Sequence, residues 1–380
     1  MSAQRDMKHQ AQSIYIHIPF CKSKCPYCDF ASWANKEDLI EKYFDALLHE
    51  IQTKCEVYSS HGSTQPSIKT IFLGGGTPSL IHPDLYKKLF NELKKYFLLE
   101  KNCEVTLELN PGTAKEDYLN GYKKLGINRI SIGAQSFNEN ILKTLGRGHS
   151  IQDTIFAINK TRESGFENFN LDFIYAVPGM TKEIWKDTIL EALKFEPKHI
   201  SAYSLTIEQN TPFKKIYKKP PLDDDSTFEL YIYLCNVLKE AGFIHYEISN
   251  FAKPGFESKH NLTYWLQEEY FAFGINAHRY LNGLRSSNLR ELEKYIENPN
   301  HEIILDFGTS HDFEKLMLNS RLMHGFDINT ACKISNKSQP EIRALLNRLR
   351  QEGYVELSND KVHLTDKGMF VNNEILLQLI

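Results

Sequence analysis

The chain has no long apolar run and little net charge. Its 380 residues include 45 Lys and Arg against 48 Asp and Glu, which gives a formal net charge of −3 at pH 7. So small a charge provides no long-range attraction to nucleic acid or to an anionic membrane, and neither partner is expected. The first 13 residues are polar and carry Arg5, Lys8 and His9 instead of an apolar segment, which predicts neither a signal peptide nor a membrane span. We therefore expect a cytoplasmic protein.

Cysteine is scarce, and its distribution argues against a disulfide framework. Three of the seven cysteines, Cys21, Cys25 and Cys28, lie within eight residues, and the next one is Cys55. An odd number of clustered thiols in a reducing compartment is not typical of disulfides. Structural zinc sites and ordinary iron–sulfur clusters take four protein ligands. Three thiolates can instead hold three irons of a [4Fe–4S] cluster and leave the fourth iron open, whereas a zinc site would need His17 or a distant residue.

Repeats and low-complexity tracts are also absent, and six short apolar runs alternate with helical periodicity. The predicted strands cover 14–18, 70–73, 105–109, 129–132, 169–174 and 200–205, and the helical patterns cover 39–51, 85–97, 118–125, 151–162 and 184–195. This alternation predicts an α/β fold whose parallel sheet binds ligands at the carboxyl ends of its strands. Six strands are too few for a closed eight-stranded barrel. We therefore expect an open partial (β/α)6 barrel.

The pattern changes after Pro220-Pro221. These prolines predict a break before a helix over 226–241, and the stretch 260–283 shows no regular pattern. From about residue 312, two helical patterns and a β-hairpin predict an α+β winged-helix-like region. Its basic and acidic residues balance, which favours a structural or docking role over nucleic-acid binding. The predicted division is a barrel core (1–220), a region that completes the barrel and contains His260 to Trp265 (221–311), and the winged-helix-like region (312–380).

Residues suited to chemistry fall at the predicted strand ends. The glycine-rich segment 74–77 follows the second strand, where glycine lets the backbone approach a ligand closely, although a tight turn is the alternative. Glu108 ends the third strand and Asp172 lies on the fifth, and both have apolar neighbours. A carboxylate in such a place is costly unless it is satisfied. Each is therefore either a ligand contact or a salt-bridged core residue, with Arg147 as a candidate partner.

Six ordered blocks resemble the oxygen-independent coproporphyrinogen III oxidase family of radical S-adenosylmethionine (SAM) proteins. The blocks are IHIPFC from Ile16, GGGTPS from Gly74, ELNP from Glu108, IGAQSF from Ile132, LGRGH from Leu145 and LDFIY from Leu171. The C-x3-C-x2-C spacing, with an aromatic residue before the last cysteine, is similar to the radical SAM signature. The resemblance implies a partial (β/α)6 radical SAM barrel in which Cys21, Cys25 and Cys28 bind a [4Fe–4S] cluster.

The same resemblance assigns further residues to SAM. Tyr15, Gly75 and Glu108 would contact one SAM molecule. SAM or a second SAM-like ligand would contact the others, which are Tyr27, Gly76, Thr77, Gln135, Arg147 and Asp172. Tyr27 would also shield the cluster from solvent, and burial of this kind tunes a cluster's reduction potential.

Departures from the oxidases indicate one branch of the family. True oxidases carry a further cysteine two residues after the cluster motif, where this chain has Phe30, and a longer arm than the 20 residues that precede Cys21. The segment HNLTYW, from His260 to Trp265, resembles the H-N-x-x-Y-W motif of the HemW branch, the haem chaperones. There His260 and Trp265 would contact haem, since imidazole is a common axial ligand and indole offers a flat apolar surface. An ordinary loop histidine and a core tryptophan are the alternative.

The resemblance thus implies a chaperone that binds haem and passes it to acceptor haemoproteins such as respiratory cytochromes, with a donor such as bacterioferritin. Its cofactors would be the [4Fe–4S] cluster, SAM and haem. Oxidation of coproporphyrinogen is not expected, and cleavage of SAM is left open. Membrane contact would be peripheral, through the acceptors, and a homodimer is compatible with this function. The alternatives are a coproporphyrinogen III dehydrogenase, a radical SAM enzyme on another substrate, and a DNA-associated regulator.

Overall fold

The fold is described from a computed structural model that covers residues 11–60, 65–305 and 308–380. The predicted polar N-terminal segment falls mostly on residues 1–10, which lie outside the described residues. The strands are β1 (Ser13–Ile18), β2 (Phe20–Cys21), β3 (Trp33–Ala34), β4 (Ser67–Gly75), β5 (Leu98–Leu109), β6 (Arg129–Gln135), β7 (Asn168–Tyr175), β8 (His199–Ser204), β9 (Ile244–Glu247), β10 (Asn250–Ala252), β11 (Phe271–Phe273), β12 (His278–Leu281), β13 (Leu284–Asn288), β14 (Glu302–Leu305), β15 (Phe326–Asp327), β16 (Val355–Ser358) and β17 (Lys361–Leu364).

The helices fill most of the sequence between these strands. They are α1 (Ile40–Ser60), α2 (Pro83–Tyr96), α3 (Glu116–Lys124), α4 (Glu139–Thr144), α5 (Ile151–Glu163), α6 (Lys182–Lys194), α7 (Pro212–Ile216), α8 (Asp224–Glu240), α9 (Lys259–Trp265), α10 (Leu292–Glu297), α11 (His311–Asn319), α12 (Ile328–Ile334), α13 (Gln339–Gln351), α14 (Asp366–Phe370) and α15 (Asn372–Leu379). Every helix within the described ranges is too short or too polar to span a bilayer.

The six strands predicted from apolar runs are all present, as β1, β4, β5, β6, β7 and β8. Strands β1, β4, β5 and β6 pair in parallel, as do β7 and β8. Parallel neighbours need crossover connections, and the predicted helices α1, α2, α3 and α6 supply them. Ile14, Ile16 and Ile18 of β1 have no exposed surface. Strands buried in this way read as apolar runs, which is why the sequence revealed them.

Taken over its described residues, the chain divides into two compact units. The first comprises Met1–Gly133, Gly148–Phe169 and Glu268–Asp306, and the second comprises Ala134–Arg147, Asn170–Gln267 and Phe307–Ile380. The strand order is β11-β1-β4-β5-β6 in the first unit and β7-β8-β10-β9 in the second. The sequence-based division at residues 220 and 311 stays a prediction.

A buried carboxylate organises the packing of α1 in the first unit. Glu50 has no exposed surface. Its oxygens accept hydrogen bonds from the Gly274 N–H at 2.8 Å, the Tyr295 hydroxyl at 2.6 Å and the Asn288 amide at 2.7 Å. Lys54 completes the set with an ion pair at 2.8 Å. A buried charge is tolerated here because four donors satisfy it.

The C-terminal part of the second unit has the predicted winged-helix-like elements. Helices α11, α12 and α13 precede the hairpin β16–β17, and β15 adds a third strand in the order β15-β17-β16. Asn359 and Asp360 connect the hairpin strands with φ values of +46° and +63°. Asn and Asp tolerate this left-handed backbone better than most residues, which suits them to the turn of the predicted β-hairpin.

The stretch 260–283 differs from the expectation of irregular structure. It contains α9, β11 and β12, and β11 pairs in parallel with β1. All three residues of β11 are buried. A strand of three buried residues shows no alternation between polar and apolar positions, so its sequence carries no recognisable period.

Candidate functional site

The cysteine loop, residues 21–28, leaves the carboxyl end of β1 in the first unit. Cys21 ends β2, and the Cys28 N–H donates to the Cys25 carbonyl at 3.1 Å. None of the three cysteines is in a disulfide, and each is half-buried. The Lys24 ammonium group turns back to donate to the Phe30 carbonyl at 3.0 Å. The three thiols are thus held in one short loop that is stabilised by its own hydrogen bonds. A cluster that binds all three thiols requires such proximity.

The glycine-rich turn, residues 74–77, is hydrogen bonded to the start of the cysteine loop. The Gly76 N–H donates to the Ile18 carbonyl at 2.7 Å, and the Thr77 N–H donates to the Phe20 carbonyl at 2.8 Å. The Thr77 hydroxyl donates to Cys21 Sγ at 3.5 Å. Burial raises the pKa of the Cys21 thiol, and the hydrogen bond from Thr77 partly offsets this rise. A metal ion ligated by Cys21 would therefore have to displace the thiol proton.

Close packing explains why this turn consists of glycines. Gly75 has φ +114°, and a Cβ there would lie 2.6 Å from Cε1 of His17. A Cβ on Gly76 would lie 2.9 Å from the carbonyl oxygens of Ile18 and Phe20. Only glycine permits this approach without displacing β1 or the cysteine loop. Any ligand contact made by Gly75 or Gly76 would therefore come from backbone groups.

His17 lies beneath the glycine turn and is almost fully buried. Its Nε2 hydrogen bonds to the Ala31 carbonyl at 2.8 Å, and its Nδ1 hydrogen bonds to the Tyr15 hydroxyl at 3.0 Å. Burial lowers the pKa of His17 to about 4, so the ring is neutral near pH 7. Nε2 then carries the proton and donates, while Nδ1 accepts. With both ring nitrogens engaged, the arrangement does not favour a zinc site completed by His17.

Three of the residues expected to contact SAM meet at the glycine turn. Glu108 Oε2 accepts a hydrogen bond from the Gly75 N–H at 2.9 Å. Burial, and then the nearby Glu108 carboxylate, raise the pKa of Tyr15 well above its ordinary value. Tyr27 is half-buried in the cysteine loop. The first unit thus combines three thiols, a carboxylate and a phenol at the carboxyl ends of neighbouring parallel strands, where ligands of such sheets bind.

Three further residues expected to contact SAM, Gln135, Arg147 and Asp172, lie in the second unit. Gln135 ends β6 with φ +63°, a left-handed conformation that is uncommon outside glycine. Arg147 is half-buried after α4. Asp172 is half-buried on β7 and accepts a hydrogen bond from the Asn170 amide at 2.7 Å. Unusual backbone at a strand end is a recurrent feature of functional sites.

A chain of polar side chains that sequence reasoning missed continues from Asp172. His199 Nδ1 hydrogen bonds to Asn170 Oδ1 at 2.7 Å, and His199 Nε2 hydrogen bonds to the Tyr246 hydroxyl at 2.8 Å. That hydroxyl also accepts from the Ser258 N–H at 3.2 Å. Ser258 is the N-cap of α9, the helix that carries the HNLTYW segment. The network joins β7, β8, β9 and α9 through contacts between residues far apart in sequence, so no local pattern reveals it.

The structure places the HNLTYW segment on α9 and buries its histidine. His260 is 1% exposed, and its Nε2 hydrogen bonds to the Tyr264 hydroxyl at 2.8 Å. Tyr264 and Trp265 are half-buried. His260 is therefore a buried helical residue, neither the loop histidine of the alternative interpretation nor an exposed ligand.

Trp265 is anchored by charged neighbours in the second unit. The Arg321 guanidinium lies 5.5 Å from the centroid of the Trp265 ring and also favours the charged form of the buried Glu247 carboxylate. Burial raises the pKa of Glu247 to about 7, partly offset by hydrogen bonds from Asn250 and Ser249. One face of the indole is thus fixed by the protein, while part of the residue remains exposed.

A second polar cluster that the sequence did not reveal joins α8, β9 and α14. The ligand atoms of Cys235, His245 and Asp366 lie within 4.8 Å of one another. His245 Nδ1 hydrogen bonds to Asp366 Oδ1 at 2.8 Å, and the Cys235 thiol also interacts with that carboxylate. Burial raises the pKa of Cys235, which keeps the group a thiol. The carboxylate is satisfied by its neighbours, so this cluster ties three elements together.

Comparison with known proteins agrees with this geometry. Residues 15–192 match the family model of the radical SAM superfamily. The structure of HemN from Escherichia coli, described as a coproporphyrinogen III oxidase and a radical SAM enzyme, superposes with a TM-score of 0.80 at 19% identity, and the match covers 98% of this chain and 90% of that one. The fold and the cysteine loop therefore define a radical SAM protein, a partial barrel with a winged-helix-like C-terminal region.

Proteins similar in sequence show which family of radical SAM proteins the chain belongs to. The chain is 37% identical over 375 residues to the haem chaperone HemW of Haemophilus influenzae, a match that covers 96% of both chains. It is 33% identical over 384 residues to HemW of Lactococcus lactis, with 97% of both chains covered. The chain belongs to the HemW family.

Proposed function

We propose that this protein is a haem chaperone, which binds haem and transfers it to acceptor haemoproteins. The observation that carries the proposal is the relationship to HemW proteins along 96% of the chain. The likeness to HemN extends over a similar length but at 19% identity, which is evidence of a shared fold alone. Respiratory cytochromes as acceptors, bacterioferritin as donor and a cytoplasmic location are part of the same proposal.

Cys21, Cys25 and Cys28 would hold the [4Fe–4S] cluster. The fit rests on three half-buried thiols in one loop, with the Thr77 hydroxyl aimed at Cys21 Sγ. A hydrogen bond to a ligating sulfur stabilises the thiolate and tunes the cluster. When bound, such a cluster supplies an electron and an iron site that the protein leaves open. The cysteine loop and the glycine turn would hold this site rigid.

SAM, and for some contacts a second SAM-like ligand, would bind at the carboxyl ends of the strands. In the first unit, Tyr15, Gly75 and Glu108 share one hydrogen-bonded neighbourhood, where the Glu108 carboxylate can pair with a ligand ammonium group. The remaining proposed contacts are Tyr27, Gly76, Thr77, Gln135, Arg147 and Asp172. The polar chain from Asp172 to Ser258 would hold α9 in one position relative to this carboxylate.

His260 and Trp265 would contribute to haem binding through α9. In the described arrangement the Tyr264 hydroxyl occupies Nε2 of His260. Axial ligation through that nitrogen would require this hydrogen bond to break. The half-buried rings of Tyr264 and Trp265 offer the flat surface that a macrocycle packs against.

Offering haem and coproporphyrinogen III separately to the anaerobically reconstituted protein tests the function. The proposal predicts one haem per chain, seen as a saturating Soret band, and no conversion of coproporphyrinogen III when SAM and a reductant are present. His260→Ala should shift or weaken the Soret band, with His311→Ala as the matched control. Multiple-turnover formation of protoporphyrinogen IX would establish the dehydrogenase instead. Haem binding unchanged by His260→Ala and Trp265→Ala together would remove this segment from the site.

A further inference from the structure

A cavity of about 630 Å³ in the second unit lies apart from the residues assigned above. Its floor is formed by the carboxyl ends of β7 and β8, including Tyr175 and Ser204. Met369 and Phe370 of α14 form part of its wall. The volume falls within the range of about 300–1,000 Å³ that is typical of small-molecule sites. Parallel sheets bind ligands at this end of their strands.

The cavity is lined by an unusual concentration of positive charge. Lys214, Lys218 and Lys219 contribute to its lining, and Asp224 is the one carboxylate that does so. No acidic group among the described residues forms an ion pair with these three lysines. Lys218 and Lys219 are exposed and precede Pro220, which restricts the backbone beside them. Asp224 offsets part of their charge, and three lysines against one aspartate leave the lining with a net positive charge.

Aromatic surface and constrained backbone complete the cavity. Tyr203 lines it and is 42% exposed, a large exposure for a ring at the end of a central strand. Ala176, directly after β7, also lines it with φ +57°. The left-handed conformation is unfavourable for alanine relative to ordinary backbone. Such strain concentrates at ligand sites, where the surrounding structure holds it in place.

We propose that this cavity binds haem, with the ring against its aromatic wall and the propionates paired with Lys214, Lys218 and Lys219. The inference rests on the proposed chaperone function and adds to it the residues that recognise the anionic edge of the ligand. The positive charge of the cavity favours haem over SAM as its ligand. Haem presents two carboxylates to the lysines, whereas SAM carries a net positive charge that three lysines would repel.

The HNLTYW segment is connected to this cavity through one short turn. Ile248 and Ser249 line the cavity, and the Ile248 N–H donates to the Arg321 carbonyl at 2.9 Å. The Arg321 guanidinium in turn lies 5.5 Å from the centroid of the Trp265 ring. Haem bound on the lysines would therefore lie beside the contacts of Trp265, so that the cavity and the HNLTYW segment would act on one haem. Its propionate edge would face solvent at Lys218 and Lys219, an arrangement that suits a carrier that must release its ligand.

Haem titrations with a matched pair of triple variants test the inference. Lys214→Gln/Lys218→Gln/Lys219→Gln removes the cavity charge, and Lys87→Gln/Lys124→Gln/Lys186→Gln removes the same charge from exposed lysines elsewhere. We expect the cavity variant to bind haem about tenfold more weakly, since it loses several ion pairs that are each weak because they are partly exposed. The control variant should bind like the wild type, and thermal unfolding of both confirms that they fold.

Haem dimethyl ester, in which both propionates are neutral, separates charge recognition from a structural effect. The wild type should bind the ester about tenfold more weakly than haem, and the cavity variant should bind both equally. Equal haem affinity in the cavity variant and the wild type would overturn the inference while leaving the chaperone function intact. Equal loss of haem and ester affinity in that variant would also overturn it. A wild type that binds no haem would overturn the proposed function itself.

Discussion

Replacing Glu108 tests whether its carboxylate binds a ligand or only stabilises the structure. Glu108 Oε2 accepts the Gly75 N–H at 2.9 Å, at the point where the glycine turn meets the cysteine loop. A hydrogen bond to a charged group contributes about 1.5–3 kcal/mol, which corresponds to roughly ten- to a hundredfold in affinity. We therefore expect Glu108→Ala to weaken SAM binding by that factor, with iron content per chain close to that of the wild type.

The isosteric variant makes this prediction sharper. Glu108→Gln keeps an acceptor for the Gly75 N–H but loses the negative charge, so stability should be largely restored while SAM affinity stays low. Glu100→Gln is the control, because Glu100 lies at the amino end of the same strand, where it accepts from the Ser67 hydroxyl at 3.2 Å. Calorimetric SAM titration and iron analysis of the reconstituted proteins measure both quantities. Wild-type SAM affinity in Glu108→Gln would show that the carboxylate only braces the glycine turn.

Three further predictions follow from the cluster, the core and the titration of a buried acid. Cys25→Ala should lose [4Fe–4S] absorption after anaerobic reconstitution, while Cys55→Ala, which removes a buried thiol of pKa about 12, should retain it. Glu50→Ala should lower the free energy of unfolding by about 3–5 kcal/mol in urea titrations, because it leaves Lys54 without its buried partner. Burial raises the pKa of Glu247 from 4.5 to about 7, so its contribution to stability is complete below pH 4.5 and is lost as the pH rises through 7. Glu247→Gln should flatten that decline between pH 5 and 8, and an unchanged slope would contradict the assignment.

Sequence periodicity predicted the strands and helices whose side chains are buried in a regular pattern along their length. The run 14–18 has buried side chains on both faces, and it became β1. The turn at Asn359 and Asp360 marked the C-terminal hairpin, because only a few residue types adopt its backbone. Strand β11 escaped notice because it has three residues and is defined by its partner β1.

The site was predictable where its residues are close in the sequence, as in the cysteine loop and the glycine turn. The hydrogen bonds of His17 could not be predicted in this way, because its two partners, Tyr15 and Ala31, are identified only in the folded structure. The burial of His260 could not be predicted from the sequence either. Residues four positions apart lie on the same face of a helix, which brings Tyr264 next to the His260 ring. Only the packing of α9 shows that His260 is buried.

Transfer of haem is the measurement that tests the chaperone function most directly. The haem-loaded protein is mixed anaerobically with an excess of an apo-haemoprotein, and the Soret spectra of donor and acceptor are followed in time. The account predicts that haem moves to the acceptor, at a rate that increases with acceptor concentration and exceeds spontaneous haem release. Haem that stays bound, or that leaves at a rate independent of the acceptor, would contradict it.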